Sequence, residues 1–163
     1  MKTILLALFA LAASALAHLG IDARVCAKIY GKPEWVEADR IAYRSGVWSL
    51  IMTFAADGKC DQANYRKFVA TTKEARLPDS WPPISESEIL SILRVNGAGQ
   101  WVEIAEKHGN RSWKSPAGDI ANYSSKLHYL QITSVRLIAK WAAESDERFR
   151  QQDEDFLRRF QVR

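Results

Sequence analysis

The chain has 163 residues and a formal charge of +4, from 23 basic against 19 acidic side chains. The signs alternate along the sequence, so there is no basic stripe of the kind that neutralises phosphates, and nucleic acid is excluded as a partner. The 2 cysteines fall short of the four ligands that a structural zinc site takes.

Met1-Lys2 opens a short positive segment, Ile4 to Leu11 is an apolar run, and Ala15-Leu16-Ala17 supplies the small-x-small pattern that a signal peptidase cuts. Residues 1–17 therefore read as a leader, with the mature chain starting at His18. The run from Ile4 to Ala17 is too short for a bilayer, which needs about 20 apolar residues, and no second run follows. The expectation is an exported protein, periplasmic or extracellular, with no membrane span. Cys26 follows Ala23-Arg24-Val25 and lacks the surroundings of a lipid-bearing cysteine. About 146 residues remain, enough for the core of a single domain. In an oxidising compartment Cys26 and Cys60 are expected to pair, closing a loop of about 34 residues worth roughly 3 to 4 kcal/mol in the chain-entropy picture.

A first helix is predicted over Asp22 to Tyr30, where Ile21, Val25, Cys26 and Ile29 recur at helical spacing and Gly31-Lys32-Pro33 stops it. From Trp35 the pattern turns to strands: Arg40 to Arg44, Val47 to Phe54 and Cys60 to Phe68, with turns at Ser45-Gly46 and Asp57-Gly58. In the middle strand Trp48, Leu50, Met52 and Phe54 share one face. Leu77 to Pro83 holds three of the 5 prolines and cannot be regular helix or central strand. Ser85-Glu86-Ser87-Glu88 is a capping box before a second helix that carries Ile89, Leu90, Ile92, Leu93 and Val95 and ends at Asn96-Gly97. A polar stretch around Gly109-Asn110 follows, then strands at Arg111 to Lys114, Ile120 to Tyr123 and Leu127 to Thr133. From Ser134 to about Gln161 no Pro or Gly intervenes, and Val135, Ile138, Ala142, Phe149, Phe156 and Phe160 mark the stripe of a helix about 40 Å long.

Two echoes suggest an internal repeat. Gly-x-x-x-Trp-Val-Glu occurs at Gly31 to Glu37 and at Gly97 to Glu103, and Tyr43-x-Ser45-x-Val47 is matched by Tyr123-x-Ser125-x-Leu127. The fold expected is α+β: two tandem helix-plus-antiparallel-meander units with a long C-terminal helix. The divisions are a leader at 1–17, a first unit at 18–76, a proline-rich link at 77–84, a second unit at 85–133 and the terminal helix at 134–163.

Sites are less legible. There is no Gly-x-Ser-x-Gly elbow, no cysteine beside a histidine and no His-Glu-x-x-His helix. Were cleavage to follow Ala17, His18 would present an amine and an imidazole that bind copper, with His108 or His128 completing the set, as in copper-dependent polysaccharide monooxygenases. The ordinary alternative is an unliganded terminus, and no cofactor or metal is assigned. Glu37, Glu103 and Asp119 are the carboxylates to test as an acid and base pair, against a plain reading as solvent-facing strand residues. Among the 6 tryptophans, Trp35 and Trp101 read as plugs between helix and sheet, while Trp81 and Trp113 are candidates for a binding surface, since exposed aromatics anchor protein and carbohydrate contacts.

The helix followed by Tyr30-Gly31-Lys32-Pro33, and then by a meander with Phe54 and Asp57-Gly58-Lys59, resembles small exported bacterial proteins. It also resembles the repeat unit of the SmpA/OmlA-type outer-membrane assembly lipoproteins and of the beta-lactamase inhibitor protein. The likeness spans about Ile21 to Tyr65, with a fainter echo over Ile84 to Thr133. It implies helices on one face of an antiparallel sheet, and binding to another envelope or extracellular protein instead of catalysis. The chain departs from the lipoproteins in lacking the lipid-bearing cysteine, and from the inhibitor in lacking a disulfide in its second unit. The functional expectation is a non-catalytic binding or structural module; the alternative is an envelope enzyme acting on glycan or peptide through a metal or paired carboxylates.

Overall fold

A computed structural model describes residues 19–68, 81–97 and 99–161, with side chains as far as residue 152. The leader, His18 and most of the proline-rich link lie outside the described residues. Three helices and eight strands follow in the order α1 (Ala23–Tyr30), β1 (Trp35–Glu37), β2 (Arg40–Ser45), β3 (Trp48–Phe54), β4 (Cys60–Lys67), α2 (Glu86–Asn96), β5 (Val102–Lys107), β6 (Asn110–Lys114), β7 (Ile120–Ser124), β8 (Tyr129–Thr133) and α3 (Val135–Gln161). The class is mixed α+β.

All eight strands form one antiparallel sheet in the order β1-β2-β3-β4-β8-β7-β6-β5, so β4 and β8 pair at its middle and β1 and β5 are its edges. Because side chains alternate across a strand, register assigns the two faces. Tyr43 lies opposite Leu50, Leu50 opposite Tyr65, and Tyr65 opposite Leu130. With Met52, Ala63, Ala121, Ile132 and Trp113 they make the core face, where each is at most 5% exposed. Burying a large apolar side chain contributes roughly 1.5 to 3 kcal/mol, so this layer is a main source of stability.

The helices cover that face. Asp22 caps α1, its Oδ1 accepting from the Arg24 and Val25 amides at 2.9 and 3.0 Å, and the helix stops at Gly31, whose φ of 79° suits a residue without a side chain. Just before it, the Gly20 amide donates to the Cys60 carbonyl and the Cys60 amide to the Ile21 carbonyl, both at 2.8 Å. This clamp sets α1 over the start of β4, so Cys26 and Cys60 occupy one buried cluster. In α2 the stripe Ile89, Ile92, Leu93 and Asn96 is buried. Glu88 accepts from the Ser85 amide at 2.7 Å, the reach-back of a capping box, and also from the Ser85 hydroxyl at 2.7 Å, and it pairs with Lys67 of β4.

Ser134 opens α3. Its hydroxyl accepts from the Leu137 amide at 3.1 Å and donates to the buried Asp61 at 2.8 Å. Arg136 also bonds Asp61, and Asp119 accepts from the Val135 amide at 2.9 Å. Leu137 is the one buried residue of α3 among the side chains described, and from Ala139 to Gln152 every side chain is exposed except Ser145. Packing thus stops after the first turns. No helix among the described residues is long and apolar enough to cross a membrane.

Two strands differ from expectation. β5 occupies what reads as a polar stretch, and its six residues are all exposed, as are the three of β1. An edge strand with no buried side lacks the alternation that reveals strands in sequence.

Candidate functional site

The second face of the sheet is polar. Register places Ser49, Ile51 and Thr53 of β3, Gln62, Asn64 and Arg66 of β4, Tyr129, Gln131 and Thr133 of β8, and Asn122 and Ser124 of β7 together on it. The side chains tie to one another across strands: Gln131 donates to Asn64 at 3.1 Å, Gln62 to Thr133 at 3.3 Å and Ser112 to Asn122 at 2.7 Å. Such cross-strand bonds hold the amides in fixed orientations instead of leaving them to rotate. The result is a preformed surface of donors and acceptors.

At one end of this face lies its main feature. Arg66 and Tyr129 are direct partners in the β4–β8 ladder. The Arg66 guanidinium lies 4.3 Å from the centre of the Trp81 ring and 5.4 Å from that of Tyr129, close enough for the cation to feel both π faces. Trp81 is held in turn by His128, whose Nδ1 bonds the Trp81 carbonyl. A carbonyl only accepts, so Nδ1 carries the proton. His128 sits at φ 47° just before β8, a left-handed backbone that turns its ring toward the link. Burial lowers the pKa of Arg66 from its ordinary value, and its Nε is shut off from solvent with no acceptor. Among the described residues no carboxylate pairs with it.

Of the two tryptophans expected at a binding surface, Trp81 is half-buried with the Arg66 guanidinium over its ring. Trp113 differs: it is 3% exposed, on the core face of β6 with the Arg111 guanidinium 4.7 Å from its ring, so it is a core residue and not a surface anchor. The charges that flank it do not bring it to the surface, since Arg111 turns to bind Glu103 of β5 and Glu86 of α2. Arg66 carries no motif, and alternation alone could place it on the outer face without revealing its aromatic neighbours.

Paired carboxylates are not assembled from the expected residues. Glu37 is on β1 and Glu103 on β5, the opposite edges of the sheet, seven strand spacings apart, or roughly 30 Å at about 4.8 Å each. Glu37 pairs with Arg40 at 2.7 Å, Glu103 with Arg111 at 2.6 Å, and Asp119 caps α3. His108 and His128 lie in different turns, and His18 is outside the described residues.

The repeat signatures match in part: Gly31 and Gly97 each follow a helix, and the Trp-Val-Glu after each leads into an edge strand, β1 and β5, but their surroundings differ. Trp35 is 37% exposed on edge strand β1, whereas Trp101 precedes β5 and packs on the core, its ring against Gly97. Tyr43 lies in β2, the second of the four strands that follow α1, while Tyr123 lies in β7, the third of the four that follow α2. Equivalent copies would put those tyrosines on matching strands.

Cys26 and Cys60 are unpaired thiols in the structure, each fully buried. Burial pushes the Cys26 thiol up to about 11 and that of Cys60 to about 12, the latter helped by the proximity of Cys26. Neither is a nucleophile at neutral pH.

No family model and no curated protein matches the chain. Among solved structures it is similar to a DUF4309 family protein (YjgB) from Bacillus subtilis, at 7% identity over 69% of this chain and 78% of that one, with a TM-score of 0.36. A likeness that distant carries no argument about fold or role.

Proposed function

We infer that the chain is an exported, non-catalytic protein-binding module, built as two helix-plus-meander halves that join through β4 and β8. The observation that carries this reading is the division of labour between the faces of the sheet. Helices take one face as core, and the other keeps half-exposed amides, hydroxyls and aromatic rings already oriented by mutual hydrogen bonds. Preorganised polar groups around an aromatic anchor suit recognition of a protein surface, because little rotamer entropy is lost on contact. The carboxylates engaged in structural pairs at opposite sheet edges weigh against general acid and base chemistry there. In an oxidising compartment Cys26 and Cys60 pair, stapling α1 to β4 beneath the binding face.

The test is loss of binding from this face alone. Partner protein captured in stoichiometric amount by the purified mature chain is expected to be lost on placing arginine at Asn122 and Gln131, and kept when Trp141 on α3 becomes alanine. Capture that survives the face variant and disappears with the α3 variant would overturn the assignment.

A further inference from the structure

Arg66 is a desolvated cation without a counter-anion among the described residues, and that is an expensive arrangement to leave unanswered. A half-buried charge is stabilised by pairing, and removing one member of a buried pair is among the costlier changes a fold can suffer. The two rings offset part of this through the attraction of a cation to their π faces. They do not satisfy the N–H groups. Nε is sealed between neighbours with no acceptor. The terminal nitrogens are not sealed and have no bond to any described residue, so the guanidinium presents its outer edge, a flat two-pronged donor, to solvent. That edge matches a carboxylate, whose two oxygens take parallel N–H bonds from a guanidinium.

We propose that Arg66, clamped between Trp81 and Tyr129, is the anchor for an acidic side chain projecting from the partner protein. The inference rests on the protein-binding reading above and names its central contact. The face is open, with half-exposed Ser49, Asn64 and Gln131 nearby, so an extended aspartate or glutamate reaches the guanidinium without entering a pocket. The lone cation suits a monoanion better than a phosphate, for which clustered basic groups are usual. His128 acts at one remove: by bonding the Trp81 carbonyl it positions the upper ring of the clamp.

The experiment follows the Arg66 Nε–H resonance of the unaltered mature chain, assigned by its disappearance in Arg66→Lys. The probe is N-acetyl-glutamate methylamide, which has a side-chain carboxylate and no terminal charge. A saturable shift at millimolar probe is expected, with the glutamine analogue and inorganic phosphate each giving less than a third of it. His128→Ala is expected to weaken the response severalfold. No shift, or an equal shift with phosphate, overturns the anchor. So does a response that emerges only after Glu74→Gln and Asp79→Asn, since the guanidinium would then be paired within the chain. Partner capture with and without arginine at Asn122 reads the proposed function separately: capture lost at the face while the probe response is absent overturns the anchor and leaves the binding module intact.

Discussion

Asp61 is the point where α3 is fastened to the sheet, and its removal should be felt in the helix before the rest of the fold. The buried carboxylate takes the Ser134 hydroxyl at 2.8 Å and Arg136 through Nε at 2.8 Å and a terminal nitrogen at 2.7 Å, all on Oδ1. Asp61→Asn keeps the shape and an acceptor oxygen but removes the charge. Hydrogen bonds to charged groups contribute about 1.5 to 3 kcal/mol against about 1 for neutral ones, so three such bonds lose roughly 2 to 3 kcal/mol together. Arg136 is 45% exposed and keeps Asp57, so it rehydrates easily and the lower end, about 2 kcal/mol, is expected. Ser134→Ala should cost about 1 to 2 kcal/mol by losing both the cap to Leu137 and the bond to Asp61. Because the two residues share a bond, the double variant should fall short of the sum by about 1 kcal/mol. Urea denaturation measures the totals, and hydrogen exchange at Val135 to Ile138 shows where they act. Strict additivity, or an Asp61→Asn change under about 0.3 kcal/mol, would refute the account of how α3 is held.

Three further outcomes are expected. Produced in an oxidising compartment, the chain should have an intact mass two hydrogens below the dithiol form, and reduction should lower its stability by about 3 to 4 kcal/mol. In the reduced chain, whose folded thiol values lie above the unfolded one, the thiols' contribution is full below about pH 9 and is lost as pH rises through about 11 and 12, whereas the oxidised chain keeps only the alkaline loss that both forms share from Tyr30, Tyr43 and Tyr65, which burial also pushes up; indistinguishable alkaline profiles would dismiss the pairing. On the acid side, Arg111 holds the Glu103 carboxyl below its ordinary value of 4.5, and Glu88, against the upward push of burial, is held down by Lys67 and Ser85. Stability from these groups is full above that value and declines as pH falls through the lower folded values, less steeply in Lys67→Met; a flat urea midpoint from about pH 5 to pH 3 would contradict it. In Gly97→Ala the new methyl would stand 2.7 Å from Trp101 Nε1, so the ring must move. A loss of about 1 to 2 kcal/mol with a red-shifted indole emission is expected, and an unchanged spectrum would mean that the ring is not lodged there.

What the sequence reveals depends on how each element earns its burial. Strands β3 and β8 and helix α2 bury one side against a common core, and that alternation or stripe is written into Leu50, Met52, Phe54, Leu130, Ile132, Ile89 and Leu93. Caps are legible too, since Ser85 and Glu88 need only their local spacing. Edge strands β1 and β5 bury nothing and leave no such record. The cluster around Arg66 is harder still: Arg66, Tyr129, His128 and Trp81 come from three separate segments, which meet only through the pairing of β4 with β8 and the bond from His128 to Trp81. Trp113 misleads because its charged neighbours describe the sheet edge and not the ring between them. Glu37 and Glu103 mislead because a shared motif says nothing about distance across a sheet.

The most direct test of a protein-binding second face is hydroxyl-radical footprinting of the chain with and without its captured partner. Trp81 and Tyr129 should lose reactivity severalfold in the complex, while Trp141 and Phe149, exposed on α3, keep theirs. Protection of Trp141 and Phe149 with Trp81 and Tyr129 unchanged would contradict the account.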